Sequence, residues 1–183
     1  MASKCLSLLL VLTAFIAPAV YADQNDSRLE TLFINLKQED APGAAQLIEL
    51  QIWDIWVEHE NPQARGLMQR GIQQMNINDV YGALDTFDDL IRMEPEFAEA
   101  WNKRATINYL VGDYQASKAD IEKTLALEPY HFGALSGLGL VNIAQGDFLQ
   151  ARRAFLSCLE VYPAMQGPAS NLRALDEFIQ QSL

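Results

Sequence analysis

Few residues in this chain have the type and spacing to do chemistry, and their surroundings argue against it. Of the two histidines, His59 stands in Glu58-His59-Glu60 at the end of an apolar helical pattern. No second histidine or cysteine lies near enough to complete a metal site. His131 follows Pro129-Tyr130 in a connecting loop and reads as a surface side chain rather than a base. Gly137-Leu138-Gly139 has part of a nucleotide-loop pattern, but no strand precedes it and the third glycine is missing. There is no Gly-x-Ser-x-Gly elbow and no His-Glu-x-x-His helix. The carboxylates are many but scattered over helical patterns, as on a solvated surface. Cys158 occupies a small-residue position inside a helical pattern and reads as a buried structural thiol, since a redox role needs exposure and a lowered pKa. The expectation is a chain that is not an enzyme and has neither a metal nor a cofactor site.

The elements that hold these residues repeat. Ala98 to Pro129 has the same layout as Ala64 to Pro95 before it and Phe132 to Pro163 after it. Pro95, Pro129 and Pro163 are evenly spaced, and Leu67, Trp101 and Leu135 keep the same period, as do Asp79, Asp113 and Asp147. Each unit carries two apolar patterns of about 14 residues with helical rather than strand spacing. In the middle unit these run through Trp101, Ala105 and Asn108/Tyr109, then Tyr114, Ser117, Ile121 and Leu125. Val111-Gly112-Asp113 is the turn between them, with glycine closing one helix and aspartate capping the next. The closing proline ends the second helix. Small residues, among them Gly71, Ala83, Ala105, Ser117, Gly139, Ala151 and Cys158, fall where helices must approach closely. One helix pair cannot bury both its faces, whereas stacked pairs can, so the units predict a solenoid.

Residues 64 to 163 resemble the tetratricopeptide repeat family. The resemblance is carried by the large apolar residue early in the first helix (Trp101, Leu135) and the small one four further on (Gly71, Ala105, Gly139). It continues in the turns Gly112-Asp113-Tyr114 and Gly146-Asp147-Phe148, in Phe87, Ile121 and Phe155 of the second helices, and in the closing prolines. The first unit departs from the pattern, with Asn78-Asp79-Val80 at its turn and a polar Arg70 where the family prefers leucine. The resemblance implies an all-α, right-handed helical solenoid with repeats over 64–97, 98–131 and 132–165. It also implies that the first helix of each unit lines a concave groove along which a protein or peptide partner lies. Carried over, that gives Arg65, Met68, Ile72 and Met75 from the first repeat. The second contributes Asn102, Lys103, Thr106 and Tyr109, and the third Ser136, Leu140 and Ile143. Some family members clamp a peptide's terminal carboxylate with lysine, arginine and asparagine, and here Asn102, Lys103 and Arg65 are the residues that could contribute. The rest of the set is fairly apolar, which suits a helix or extended segment with apolar anchors. Met75, Tyr109 and Ile143 would form a stripe along the groove.

Outside the repeats, Leu29, Leu32, Phe33 and Leu36 make one helical stripe, and Asp40-Ala41-Pro42 opens a second helix running to about Glu60. Residues 23–61 read as a helical hairpin, a degenerate repeat or cap over the exposed face of the first clear unit. Trp53 and Trp56 read as core residues of that hairpin, with a ligand site as the alternative. Asn61-Pro62 separates it from the repeats. After a loop at 164–168, the helical pattern of Leu172, Leu175, Phe178, Ile179 and Leu183 predicts a capping helix over 168–183.

Positions 1–22, with Lys4, an apolar run over 6–17 and Val20-Tyr21-Ala22 before Asp23, read as a cleaved secretory signal, with an uncleaved anchor as the alternative. Cys158 would then be the one cysteine of the exported chain, so no intramolecular disulfide is expected. The formal net charge of −11 argues against binding nucleic acid or anionic lipid. Together these predict a periplasmic or comparable extracytoplasmic scaffold for a protein partner. An assembly subunit held through its terminal helices, and an accessory hydrolase, are the alternatives.

Overall fold

A computed structural model describes residues 24–181, and over them the chain is helical, with nine helices and no strand. The expected signal segment, 1–22, and Leu183 lie outside the described residues. Helices α1 (Arg28–Gln38) and α2 (Pro42–Trp56) form a hairpin. Three helix pairs follow: α3 (Pro62–Asn76) with α4 (Val80–Met93), α5 (Ala98–Leu110) with α6 (Tyr114–Leu127), and α7 (Phe132–Ala144) with α8 (Phe148–Val161). Helix α9 (Gln166–Gln181) closes the stack. It starts within the stretch expected to be loop; Pro168 lies in its first turn, where a missing N–H breaks no helical bond.

The turns inside the pairs are built alike. Asn78, Gly112 and Gly146 have φ of 60, 82 and 76°, the left-handed conformation that ends a helix. The amides of Asp79, Asp113 and Asp147 then bond back to the carbonyls of Gln74, Asn108 and Asn142 at 2.8, 2.9 and 2.8 Å. The same three aspartates cap the second helices, accepting from the amides of Gly82, Ala116 and Gln150. Asn78 stands in for glycine because asparagine tolerates the left-handed region.

Within each pair the small residue of the first helix receives a large one from the second. A Cβ on Gly71 would lie 2.5 Å from the Phe87 ring, and one on Gly139 would run into Phe155. The middle pair matches Ala105 with Ile121, a larger residue against a smaller one. The first helices α3, α5 and α7 also touch their successors, α3 meeting α5 and α5 meeting α7. Helix α9 lays Leu172, Leu175 and Ile179 over Ala151 and Phe155, and Arg152 pairs with Asp176 at 2.7 Å.

The hairpin does not cover the first unit as expected. Its apolar face reaches the third: Leu29, Leu36, Ile52, Ile55 and Trp56 share a core with Phe132, Leu135, Cys158 and Tyr162. Helix α2 ends at Trp56, before the expected Glu60, and the chain then turns back to start α3 beneath the Asn61 cap. Tyr130, Phe132 and Tyr162 supply aromatic area for this contact. Phe33 meets Tyr130 at 5.6 Å between ring centroids, and Phe132 meets Tyr162 at 5.5 Å. The equivalent positions are Glu96, Ala98 and Glu128 one repeat back and Pro62, Ala64 and Glu94 two repeats back, so neither earlier unit offers such an aromatic face.

Candidate functional site

Between α5 and α7 lies a cleft of about 220 Å³. Asn102, Thr106 and Tyr109 of α5 line it on one side, and Ser136 and Leu140 of α7 on the other. These five positions come from the expected set, and helical spacing explains their meeting: 102, 106 and 109 recur on one face of α5, as 136 and 140 do on α7. Gly133, Gly137 and Met165 add to the wall, and nothing in the sequence pattern placed them there.

The remaining expected groove residues are placed otherwise. Met68 is 1% exposed in the core formed with Ala83, Phe87 and Leu90, so it lines no groove. Met68 holds the place that Asn102 and Ser136 hold in the next two repeats, but its longer apolar side chain is packed inward among Ala83, Phe87 and Leu90. Ile72 and Met75 are half-buried and pack on the same core. Ile143 packs on the core of Ala151 and Leu175, so Met75, Tyr109 and Ile143 each join a separate cluster. Arg65 is exposed and donates from Nη1 to the backbone carbonyls of His59 and Glu60 at 2.6 and 2.9 Å.

Lys103 is tied down at the edge of the cleft. Its Nζ lies 2.7 Å from Oε1 of Glu99, one turn back, and 4.8 Å over the Trp53 ring. Glu99 is 1% exposed, and its other oxygen, Oε2, accepts from Asn102 Nδ2 and meets His131 Nε2, both at 2.9 Å. Burial pushes the Glu99 carboxyl up; the Lys103 charge and the His131 hydrogen bond outweigh it and hold the group below its ordinary value.

His131 is fully buried, not a surface residue. It is the cap of α7: Nδ1 accepts from the Ala134 amide at 3.1 Å. Since Nδ1 accepts, the ring proton is on Nε2 and points at Glu99, which fixes a neutral tautomer. Trp53 and Trp56 of α2 cover this group. Trp53 fits against α7 because residue 133 is glycine, where a Cβ would be 2.7 Å from the indole. The buried Trp56 indole N–H has no hydrogen-bond partner among the described residues, and burial raises the carboxyl of Glu128. The two tryptophans are thus core residues, but of the interface between α2 and the third unit.

Not all carboxylates are scattered. Arg104 donates to Asp120 from Nε and Nη2 at 2.9 and 2.6 Å and to Asp88 at 2.6 Å, and Asn108 adds a bond to Asp120. Asp120 is 3% exposed, and this network links the first two units through residues that do not line the cleft. Among the described residues no group of three or more histidine, cysteine, aspartate or glutamate side chains is arranged to hold a metal. No helix of the described residues is long and apolar enough to cross a membrane.

No protein-family model matches the chain. A TPR repeat-containing protein of Rhizobium etli is 33% identical over 187 aligned positions, which cover 96% of this chain and 92% of the relative. Among solved structures, the first TPR of Spaghetti (RPAP3), bound to the HSP90 peptide SRMEEVD, superposes with a TM-score of 0.63 at 18% identity. That match covers 64% of this chain and 93% of the other. The Sgt2 TPR domain from Aspergillus fumigatus also gives 0.63, at 19% identity over 67% of this chain and 82% of that one. With the Rhizobium relative matched almost end to end, and the repeating pattern built as three stacked helix pairs, the chain belongs to the tetratricopeptide repeat proteins.

Proposed function

We propose that this protein is a non-enzymatic scaffold that holds a segment of a partner protein in the groove between α5 and α7. The observation that carries the reading is the cleft itself, in which Asn102, Thr106 and Tyr109 face Ser136 and Leu140 across open space. The similarly folded RPAP3 domain takes a peptide, which supports such a use of the fold. The leader-like stretch 1–22 supports an extracytoplasmic place of work, a periplasm or its equivalent, after cleavage before Asp23. The net charge of −11 favours a protein partner over nucleic acid.

Site-specific photocrosslinking in the native compartment tests this. A photoreactive residue at the exposed Thr106 should capture a partner protein that the same group at Glu122, exposed on α6, does not. Equal capture from both positions would remove the groove from consideration. N-terminal sequencing of the exported chain should begin at Asp23; a chain beginning at Met1 and held in the membrane would mean an anchor. A second reading, assembly through the terminal helices, draws on α2, whose Leu47 and Leu50 stay 63% and 53% exposed. Crosslinks from Leu50 but not Thr106 would favour it.

A further inference from the structure

We infer that the α5–α7 cleft selects an uncharged apolar anchor residue carried between cationic neighbours, and rejects an acidic chain terminus. The inference rests on the groove reading above and names the chemistry of its ligand.

The cleft wall is neutral throughout; no charged residue lines it. Its volume, about 220 Å³, lies under the roughly 300 Å³ at which small-molecule pockets begin, and suits one large side chain of a longer segment. Asn102 and Lys103, which could have met a ligand carboxylate, both already hold the chain's own carboxylate at Glu99. Glu99 is buried with its three partners around it. Drawing Lys103 away to a ligand would leave that charge in the interior without its cation, an arrangement strongly disfavoured. The remaining candidate, Arg65, lies on α3, outside the cleft wall, with Nη1 engaged by the His59 and Glu60 carbonyls. An incoming acidic tail therefore finds no free cation at the cleft. It also approaches a chain with 24 acidic and 13 basic residues, whose field repels it and draws a cation-flanked segment in.

Gly137 adds an independent observation. Gly71, Gly133 and Gly139 are glycines because an aromatic ring occupies the place of their Cβ. Gly137, like the helical Gly43 and Gly66, has no such reason: a Cβ there would meet only Ile121 Cδ1, at 3.5 Å, an ordinary contact. A glycine inside a helix weakens it. This one is not required by packing, and it lines the cleft, so a larger side chain there would enter the cleft's space.

The test uses the mature full-length chain and its Gly137→Leu variant, which fills the cleft and should fold at least as well. Both are panned against a random peptide library displayed with free carboxyl termini, and SRMEEVD is titrated as free acid and as amide. The expected result is enrichment of peptides with one large apolar residue among lysines or arginines. Their binding should fall at least tenfold in Gly137→Leu and weaken with salt, with no measurable binding of either SRMEEVD form. Enrichment of acidic carboxyl-terminal sequences, or binding of SRMEEVD that is lost on amidation, would overturn the inference while leaving the groove as the site. No enrichment at all, or peptides retained equally by Gly137→Leu, would overturn the groove reading with it.

Discussion

Trp56 lies face to face on His131, with ring centroids 4.0 Å apart and planes 9° from parallel. The two residues are distant in the chain, and their contact is where the amino-terminal hairpin is fastened to the third repeat. Trp56 also touches Phe33 and Phe132, so one indole joins α1, α2 and α7.

Trp56→Ala should therefore destabilise the chain by about 3–5 kcal/mol, the usual range for truncating a large buried aromatic. Chemical denaturation followed by circular dichroism reads it. A midpoint equal to that of the parent chain would mean that the hairpin is not held by this contact.

The Glu99 group gives stability a pH dependence of definite sign. Burial acts to raise its carboxyl, but Lys103 and His131 hold the folded value below the reference of 4.5. A depressed carboxylate contributes stability that is present above the unfolded value and lost as pH falls through the folded one. The advantage of the parent chain over Glu99→Gln should accordingly be full near neutrality and shrink below about pH 4.5. Thermal melts of both proteins across that range check it; a gap that widens on acidification would reverse the assignment.

Local features of the fold were legible in the sequence, and distant ones were not. Gly112-Asp113 and Gly146-Asp147 announce their turns because φ and capping are properties of neighbouring residues. Gly71 and Gly139 announce close contact with Phe87 and Phe155 because the repeat sets both pairs at the same separation along the chain. The docking of Trp56 on His131 obeys no period, and nothing near either residue marks it. His131 reads as exposed because histidines in loops usually are; its role as a helix cap was visible only in its place before Phe132. Met68 was misplaced because the repeat equates it with Asn102 and Ser136, which line the cleft, whereas its own apolar side chain is drawn into the core against Phe87 and Leu90. Gly137 reads only as helical, because an opening is defined by the neighbours that do not fill it.

Cys158 should be inert in the folded chain. It is fully buried, its Sγ lies 3.3 Å from the Phe132 carbonyl oxygen, and burial pushes the thiol up to about 12. The thiolate is the reactive form, so at neutral pH a disulfide reagent finds little of it and cannot reach it. Labelling should be negligible in native buffer and stoichiometric in denaturant. Prompt labelling of the native chain would mean that the α1–α2 hairpin opens readily, because Leu36, Ile52 and Trp56 are in the same core.

The Arg104–Asp120 pair should behave as a buried ion pair that is costly to break and cheap to replace. Arg104→Leu alone leaves Asp120, 3% exposed, with Asn108 as its remaining side-chain partner. Removing one partner of such a pair typically costs about 3–5 kcal/mol. The third repeat has Leu138 and Ala154 at the positions equivalent to Arg104 and Asp120, each one repeat further on. The double change Arg104→Leu with Asp120→Ala imports that repeat's own solution. It removes both charges together, so most of the loss should be recovered, and the coupling between the two changes should be on the order of 1–3 kcal/mol. A double-mutant cycle by urea denaturation measures it. Additive losses would mean that Asp120 is held mainly by Asn108 and that the arginine contributes little.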